Sequence, residues 1–161
     1  MEAPTIRSIT LRDNPVIAQL IRKVFEDMGV PKKGTAYEDK ELSCMFESYD
    51  EPNAAYFVLE TTNGIVGGAA ISLLKNHDGY VCELQKMYFS EEARGKGWGN
   101  RLLTHCLAKA KELGYNGCYL ETMPNMNAAQ QLYLKKGLAF IEDPMGCTGH
   151  TSCPVYMYKS L

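Results

Sequence analysis

The sequence predicts an α/β (α+β) fold, a mixed central sheet of about seven strands flanked by about four helices, in a single domain spanning residues 1–161. Three observations point there. With 161 residues, 45% of them hydrophobic and 22% charged, the chain has the composition of one globular domain, outside the disordered, collagen-like and repeat classes. Apolar patterns of period two and period 3.6 alternate along it, so both kinds of element are present. Neither an internal repeat nor a Pro/Gly-rich linker divides it.

The elements follow in order. Thr5 to Ile9 alternates as a short strand. Asp13 or Asn14 before Pro15 is an N-cap followed by a first-turn proline. The helix it opens carries Val16, Ile17, Leu20, Ile21, Val24 and Phe25 at helical spacing and ends at Gly29-Val30-Pro31. Glu38 to Tyr49 predicts a second helix, through Leu42, Met45 and Phe46. Ala55 to Glu60 and Ile65 to Leu74 read as strands around an Asn63-Gly64 turn, with Gly67-Gly68 as the mark of a bulge. Tyr80 to Phe89 is a strand, and the stripe from Leu102 to Leu113 is an amphipathic helix closed by Gly114. Cys118 to Thr122 (strand), Asn127 to Lys136 (helix), Ala139 to Ile141 and Val155 to Lys159 (both strands) complete the order.

Composition narrows the function. With 17 Lys+Arg against 19 Asp+Glu the net charge is -2, too balanced for a nucleic-acid backbone or an anionic membrane as partner. No apolar run approaches the ~20 residues of a membrane span, and Met1 to Thr5 shows no basic leader, so a soluble, cytoplasmic protein is expected. Cys44, Cys82, Cys106, Cys118, Cys147 and Cys153 form no CxxC pair and read as reduced thiols, several within apolar segments.

The segment with chemistry in it is Arg94-Gly95-Lys96-Gly97-Trp98-Gly99-Asn100, between a strand and a helix. Glycines let a backbone approach an anion closely, and the first amides of the next helix then point at it. The helix dipole supplies at most ~2 kcal/mol. Micromolar binding needs about 8 kcal/mol, so several charge-assisted amide bonds of ~1.5–3 kcal/mol each must carry most of it. A pyrophosphate suits such a loop, with Arg94 or Lys96 adding charge. The spacing fits neither a Walker A loop nor a dinucleotide fingerprint, which needs glycine where Asn100 stands.

Arg94-Gly95-Lys96-Gly97-Trp98-Gly99 resembles the Gln/Arg-x-x-Gly-x-Gly/Ala segment of the GNAT superfamily of acetyl-CoA-dependent N-acetyltransferases. The likeness runs from about Tyr80 to Ile141 and includes Leu132-Tyr133-Leu134-Lys135-Lys136-Gly137, similar to the family's Leu-Tyr-x-Lys-x-Gly-Phe with Leu138 in the Phe place. The resemblance implies acetyl-CoA as cosubstrate and no metal. It implies that amides of residues 94 to 99 hold the CoA pyrophosphate, and that main-chain groups near Met87 and Phe89 pair with the pantetheine as an added strand. Many relatives carry Asn seven residues before Tyr133, where this chain has Met126 with Asn125 and Asn127 on either side, so the resemblance leaves the CoA-contacting Asn open, with Asn127 a candidate.

An amine of pKa ~10.4 is more than three units from neutral at pH 7, a deficit of about 4.6 kcal/mol, so the reaction wants a base. Glu83, eleven positions ahead of Arg94, matches the base of histone-type acetyltransferases. Glu121, twelve ahead of Tyr133, matches that of ribosomal-protein acetyltransferases. Glu83 is favoured, and either serves directly or through a water. Tyr133 resembles the general acid that returns a proton to the CoA sulfur. Trp98 is expected to pack beside the cofactor loop. Cys147, His150 and Cys153 lack zinc spacing and read as a Gly-rich loop. In this superfamily that loop borders the acceptor, which puts His150 near substrate, and the Lys32 to Tyr37 connection forms the opposite wall.

The expected function is therefore acetyl transfer to a primary amine of a small-molecule or peptide acceptor, by direct attack in a ternary complex without a cysteine nucleophile. The alternative is a non-catalytic acyl-CoA-binding module that senses rather than transfers. The acceptor, an acyl group larger than acetyl and a homodimer are left open.

Overall fold

The computed structural model describes residues 3–161; Met1 and Glu2, on which part of the leader reading rests, lie outside the described residues. Seven strands alternate with four α-helices: β1 (Thr5–Ser8), α1 (Asn14–Asp27), α2 (Met45–Tyr49), β2 (Ala55–Thr61), β3 (Gly64–Leu73), β4 (Val81–Phe89), α3 (Trp98–Glu112), β5 (Gly117–Thr122), α4 (Asn127–Lys135), β6 (Ala139–Ile141) and β7 (Val155–Ser160). The strands form one sheet in the order β1-β2-β3-β4-β5-β7-β6. Every neighbouring pair is antiparallel except β4 and β5, which run parallel. Among the described residues no helix is long and apolar enough to cross a membrane.

Strand alternation divides the core between the two faces. Phe57, Ala69, Ile71, Cys82 and Leu84 meet Leu102, Leu103, Cys106 and Ala110 of α3, with Tyr133 of α4. Tyr56, Val58 and Ala70 meet Ile17, Ile21 and Phe25 of α1 and Met45 of α2 on the other. Glu83, between Cys82 and Leu84, thus falls on the α1/α2 face. All six cysteines are free thiols, and burial pushes Cys106 up to about 12.

Three local expectations are corrected. Asp13 stands at the N-cap of α1 but its side chain bonds no α1 amide. Its carboxylate accepts from the Thr10 backbone at 2.7 Å and hydroxyl at 2.9 Å, and pairs with Arg7 at 2.8 Å. Asn14 instead reaches α2, where its Oδ1 accepts from the Phe46 amide at 2.8 Å and its Nδ2 donates to Glu47 at 2.7 Å. The helix expected over Glu38 to Tyr49 is broken into 3-10 turns at Ala36–Glu38 and Lys40–Ser43 before α2. Asp39 lies between them in extended backbone, ψ 128°, where its carboxylate serves partners from other elements.

Gly67 and Gly68 lie beside two register shifts, but the extra residue of the β3–β4 shift is on β4. Ala70 pairs with Gln85 and Gly68 with Tyr88, and Lys86 between them adopts φ 50°, in the left-handed region. The glycines answer to rings. A Cβ on Gly67 would lie 2.5 Å from Phe89, and one on Gly68 would lie 2.5–2.8 Å from the buried Tyr56 ring. Gly68→Ala is expected to destabilise by ~1–3 kcal/mol through overpacking. Urea unfolding checks this as a lower midpoint at unchanged slope; an unmoved midpoint would mean that the Tyr56 ring yields freely.

Candidate active site

The parallel pairing of β4 and β5 is short: Val81 with Gly117, Cys82 with Cys118, Glu83 with Tyr119, after which the strands diverge. From Leu84 onward β4 therefore has an unpaired edge. The Ser90 amide bonds Val66 of β3, so the two-residue period sends the main-chain groups of Tyr88 toward β3 and those of Met87 and Phe89 toward the opening. A cavity of about 50 Å³ lies in it, lined by Leu84, Met87, Leu120, Glu121, Met126 and Tyr133 among others. Tyr133 is 6% exposed, and among the described residues its hydroxyl has no hydrogen-bond partner. Burial pushes that phenol well above its ordinary range.

At the far end of this edge lies the glycine loop. Gly95 (φ 72°) and Gly97 (φ 75°) are left-handed, and each faces open space where a Cβ would stand. Gly97 is the N-cap of α3 and brings no side chain to it, so the first α3 amides point outward without an intrahelical partner. Gly99 lies against Leu132 of α4 and Phe89, where a Cβ would come within 3.2 Å of Leu132. The concavity and its amides fit an anionic group.

Two side chains frame this loop. Arg94 donates from Nε and Nη2 to the Phe89 carbonyl at 3.2 and 3.1 Å, bracing the loop on β4. Trp98 packs beside the loop as expected, buried with Leu59, Val66 and Ala93, and Lys96 lies over its ring at 4.8 Å. Asn100 and Asn127 are exposed on the first turns of α3 and α4. Met126 instead packs with Met123 against the α1/α2 core.

On the α1/α2 face the structure brings together both carboxylates. Glu83 is 3% exposed and its Oε2 accepts from Gln85 Nε2 at 2.8 Å. Glu121 accepts from Tyr119 at 2.9 Å and from the Thr148 hydroxyl. His150, from the β6–β7 connection, joins them: the three side chains bring a polar atom each within 4.8 Å of one another. Burial raises the Glu83 carboxyl above its ordinary range, against the opposing pull of the Gln85 bond and the nearby His150 and Lys86 charges. Burial also works against a charged His150, but the Asp39 carboxylate outweighs it and the imidazole lies above its ordinary value.

The groups that the sequence did not single out are Asp39, Tyr49, Gln85 and Lys86. His150 Nε2 lies 3.0 and 3.1 Å from the two Asp39 oxygens, and Lys86 Nζ lies 3.0 Å from Asp39 Oδ2. Lys86 also donates to Tyr49 Oη at 3.2 Å, and Tyr49 donates to Gln85 Oε1 at 2.6 Å. A polar chain thus runs from His150 to Glu83 around a cavity of about 110 Å³. The signal available in the sequence was Lys86 within an apolar strand, since a buried ammonium requires a carboxylate. The loop bearing His150 docks on the α1–α2 connection, with the Ser152 amide on the Gly34 carbonyl at 3.1 Å and the Ser152 hydroxyl on that of Lys33 at 3.0 Å. Cys147 is exposed and Cys153 lines the smaller cavity beside Tyr133, its thiol pushed up by burial to about 11.

Residues 18–140 match the profile of the Acetyltransferase (GNAT) family. The chain is 39% identical over 161 residues to the uncharacterized N-acetyltransferase YjgM of Escherichia coli (strain K12), covering 99% of this chain and 96% of that protein. An acetyltransferase of GNAT family from Staphylococcus aureus Mu50 has the same fold, with a TM-score of 0.86 at 19% identity and 99% of each chain covered. So does a GNAT superfamily phosphinothricin acetyltransferase from Sinorhizobium meliloti in complex with AcCoA, with a TM-score of 0.79 at 20% identity over 99% of this chain and 89% of that one. On the strength of the profile and the full-length likeness, this chain belongs to the acetyltransferase (GNAT) family.

Proposed function

We propose that the protein transfers an acetyl group from acetyl-CoA to a primary amine of a small-molecule or peptide acceptor by direct attack in a ternary complex. One observation carries this reading: the unpaired edge of β4 connects the glycine cradle at one end with the Glu83–Glu121 pair at the other. The Arg94 amide already bonds the Glu91 carbonyl at 3.1 Å, which leaves the amides of residues 95 to 99 to hold the pyrophosphate. The Phe89 carbonyl is already taken by Arg94, which leaves the Phe89 amide and the Met87 main chain for the pantetheine. One of these amides polarises the thioester carbonyl.

Glu83 takes the proton of the acceptor ammonium. The N–H bond breaks, an O–H bond forms on the carboxylate, and the freed lone pair attacks the thioester carbon. Burial suits Glu83 to this task because a base is most effective when its pKa is near the working pH. Tyr133 stays protonated at the floor of the opening; as the C–S bond breaks it protonates the departing thiolate, and the second proton shed by the nitrogen as the amide forms restores the phenol. A thiol of pKa ~8.5 already leaves tolerably, so Tyr133→Phe costs at most the usual ~10²–10⁴-fold of acid–base help.

A thermal melt tests the donor site. Acetyl-CoA at ~100 times its dissociation constant adds about 2.7 kcal/mol, a rise of roughly 5–10 °C for a chain of this size. Gly97→Glu should abolish the rise by placing a carboxylate in the cradle, whereas Gly97→Ala, equally unsuited to φ 75°, should retain part of it. No rise at millimolar acetyl-CoA overturns the donor assignment. Release of free CoA on adding amines then separates transfer from sensing.

A further inference from the structure

Lys86, Asp39 and His150 take no step in the reaction above, yet their side chains are only 4%, 21% and 15% exposed. A buried ion pair is weak evidence for stability, because desolvation offsets the attraction. The backbone is deformed to make this one. In a regular strand Lys86 would share a face with Leu84, against α3; the bulge and its φ of 50° turn it toward Tyr49 and Asp39 instead.

The charges explain the arrangement. Lys86 matches Asp39, and what remains is an imidazole between two further carboxylates, Glu83 from β4 and Glu121 from β5. Around it also stand Gln85 on β4, Tyr49 on α2, Tyr119 on β5, Thr148 and Cys153 on the β6–β7 connection, and Glu41, Lys75, Ser48 and Ser72 at the cavity. With Lys86 matched by Asp39, His150 is the cation whose polar atom lies within 4.8 Å of the Glu83 and Glu121 carboxylates. We propose that Asp39 and His150 are positioning residues for the base: Asp39 holds His150 as an imidazolium facing Glu83, so that this buried carboxylate stays ionised until an acceptor arrives. His150 gives up no proton in the reaction. The inference rests on the reading of Glu83 as the base.

Titration of the Glu83 carboxyl by carbon NMR, its signal assigned with Glu83→Gln, tests the pair without needing a known acceptor. In His150→Gln the Glu83 midpoint should rise by at least about one unit, a tenfold loss of ionised carboxylate at a pH below it. His150→Lys keeps a cation and should hold the midpoint near that of the wild type, and His77→Gln should not move it. An unmoved midpoint in His150→Gln overturns the proposal. Should that variant fail to fold, Asp39→Asn is read through the His150 ring proton, whose midpoint should fall by about one unit or more; no fall overturns it equally. CoA release by Glu83→Gln distinguishes the two levels. Full turnover in that variant removes the base assignment whatever the titration shows, whereas lost turnover with an unmoved Glu83 midpoint removes the role of the pair alone.

Discussion

Glu83→Gln is expected to lower kcat/KM for acetyl transfer by ~10²–10⁴-fold while leaving the acetyl-CoA-induced rise in melting temperature intact. The amide has the shape of the carboxylate and keeps an oxygen for the Gln85 bond, but it cannot accept the acceptor's proton. The reaction then depends on the minor fraction of acceptor already neutral, which for an amine of pKa ~10.4 is below one part in a thousand at pH 7. Burial raises Glu83, so the wild-type rate should fall as pH drops through a value above the ordinary carboxylate range. The variant should lose that limb and gain rate steadily toward high pH. Glu121→Gln is expected to cost less than about tenfold, because its remaining oxygen still accepts from Tyr119 or Thr148. Initial rates of CoA release across pH 6–9 decide between the two. The reverse ranking would move the role of base to Glu121.

What was legible in the sequence is what neighbours in the chain decide. Seven strands and four helices could be read because periods of two and 3.6, interrupted by Gly and Pro, are local signals. The glycine loop was legible for the same reason: Gly95 and Gly97 leave open space where a Cβ would stand, the close approach that the composition suggested. Side-chain destinations were not legible. Arg94 turns to the Phe89 carbonyl and Asn14 to Phe46 and Glu47 of α2, choices made by contacts between elements. The segment from Glu38 to Tyr49 has a helical pattern, and it breaks at Asp39 because a carboxylate with two partners, at positions 86 and 150, outweighs the propensity of one short helix. Those separations carry no periodicity, so the Asp39, Lys86 and His150 cluster left only one trace, a lysine inside an apolar strand.

Asp39→Ala is expected to be the most destabilising single change at the site, by about 3–5 kcal/mol. Lys86 is the reason. Its side chain is 4% exposed, and without Asp39 its remaining hydrogen-bond acceptor is the neutral Tyr49 hydroxyl at 3.2 Å. The ammonium then either sits uncompensated in the interior or loses its proton, and both cost free energy. At ~2–4 °C per kcal/mol the melting temperature should fall by roughly 6–20 °C. Replacing both charges, with Asp39→Ala and Lys86→Met together, should restore much of the loss, since it leaves no ammonium without a partner, and His150, which also loses Asp39, can shed its proton. A urea double-mutant cycle measures the coupling, expected at about 1–3 kcal/mol. Additive losses would mean that water reaches Lys86 once Asp39 is gone, and the deformed backbone at φ 50° would then have to be held by packing around Tyr49 rather than by the ion pair.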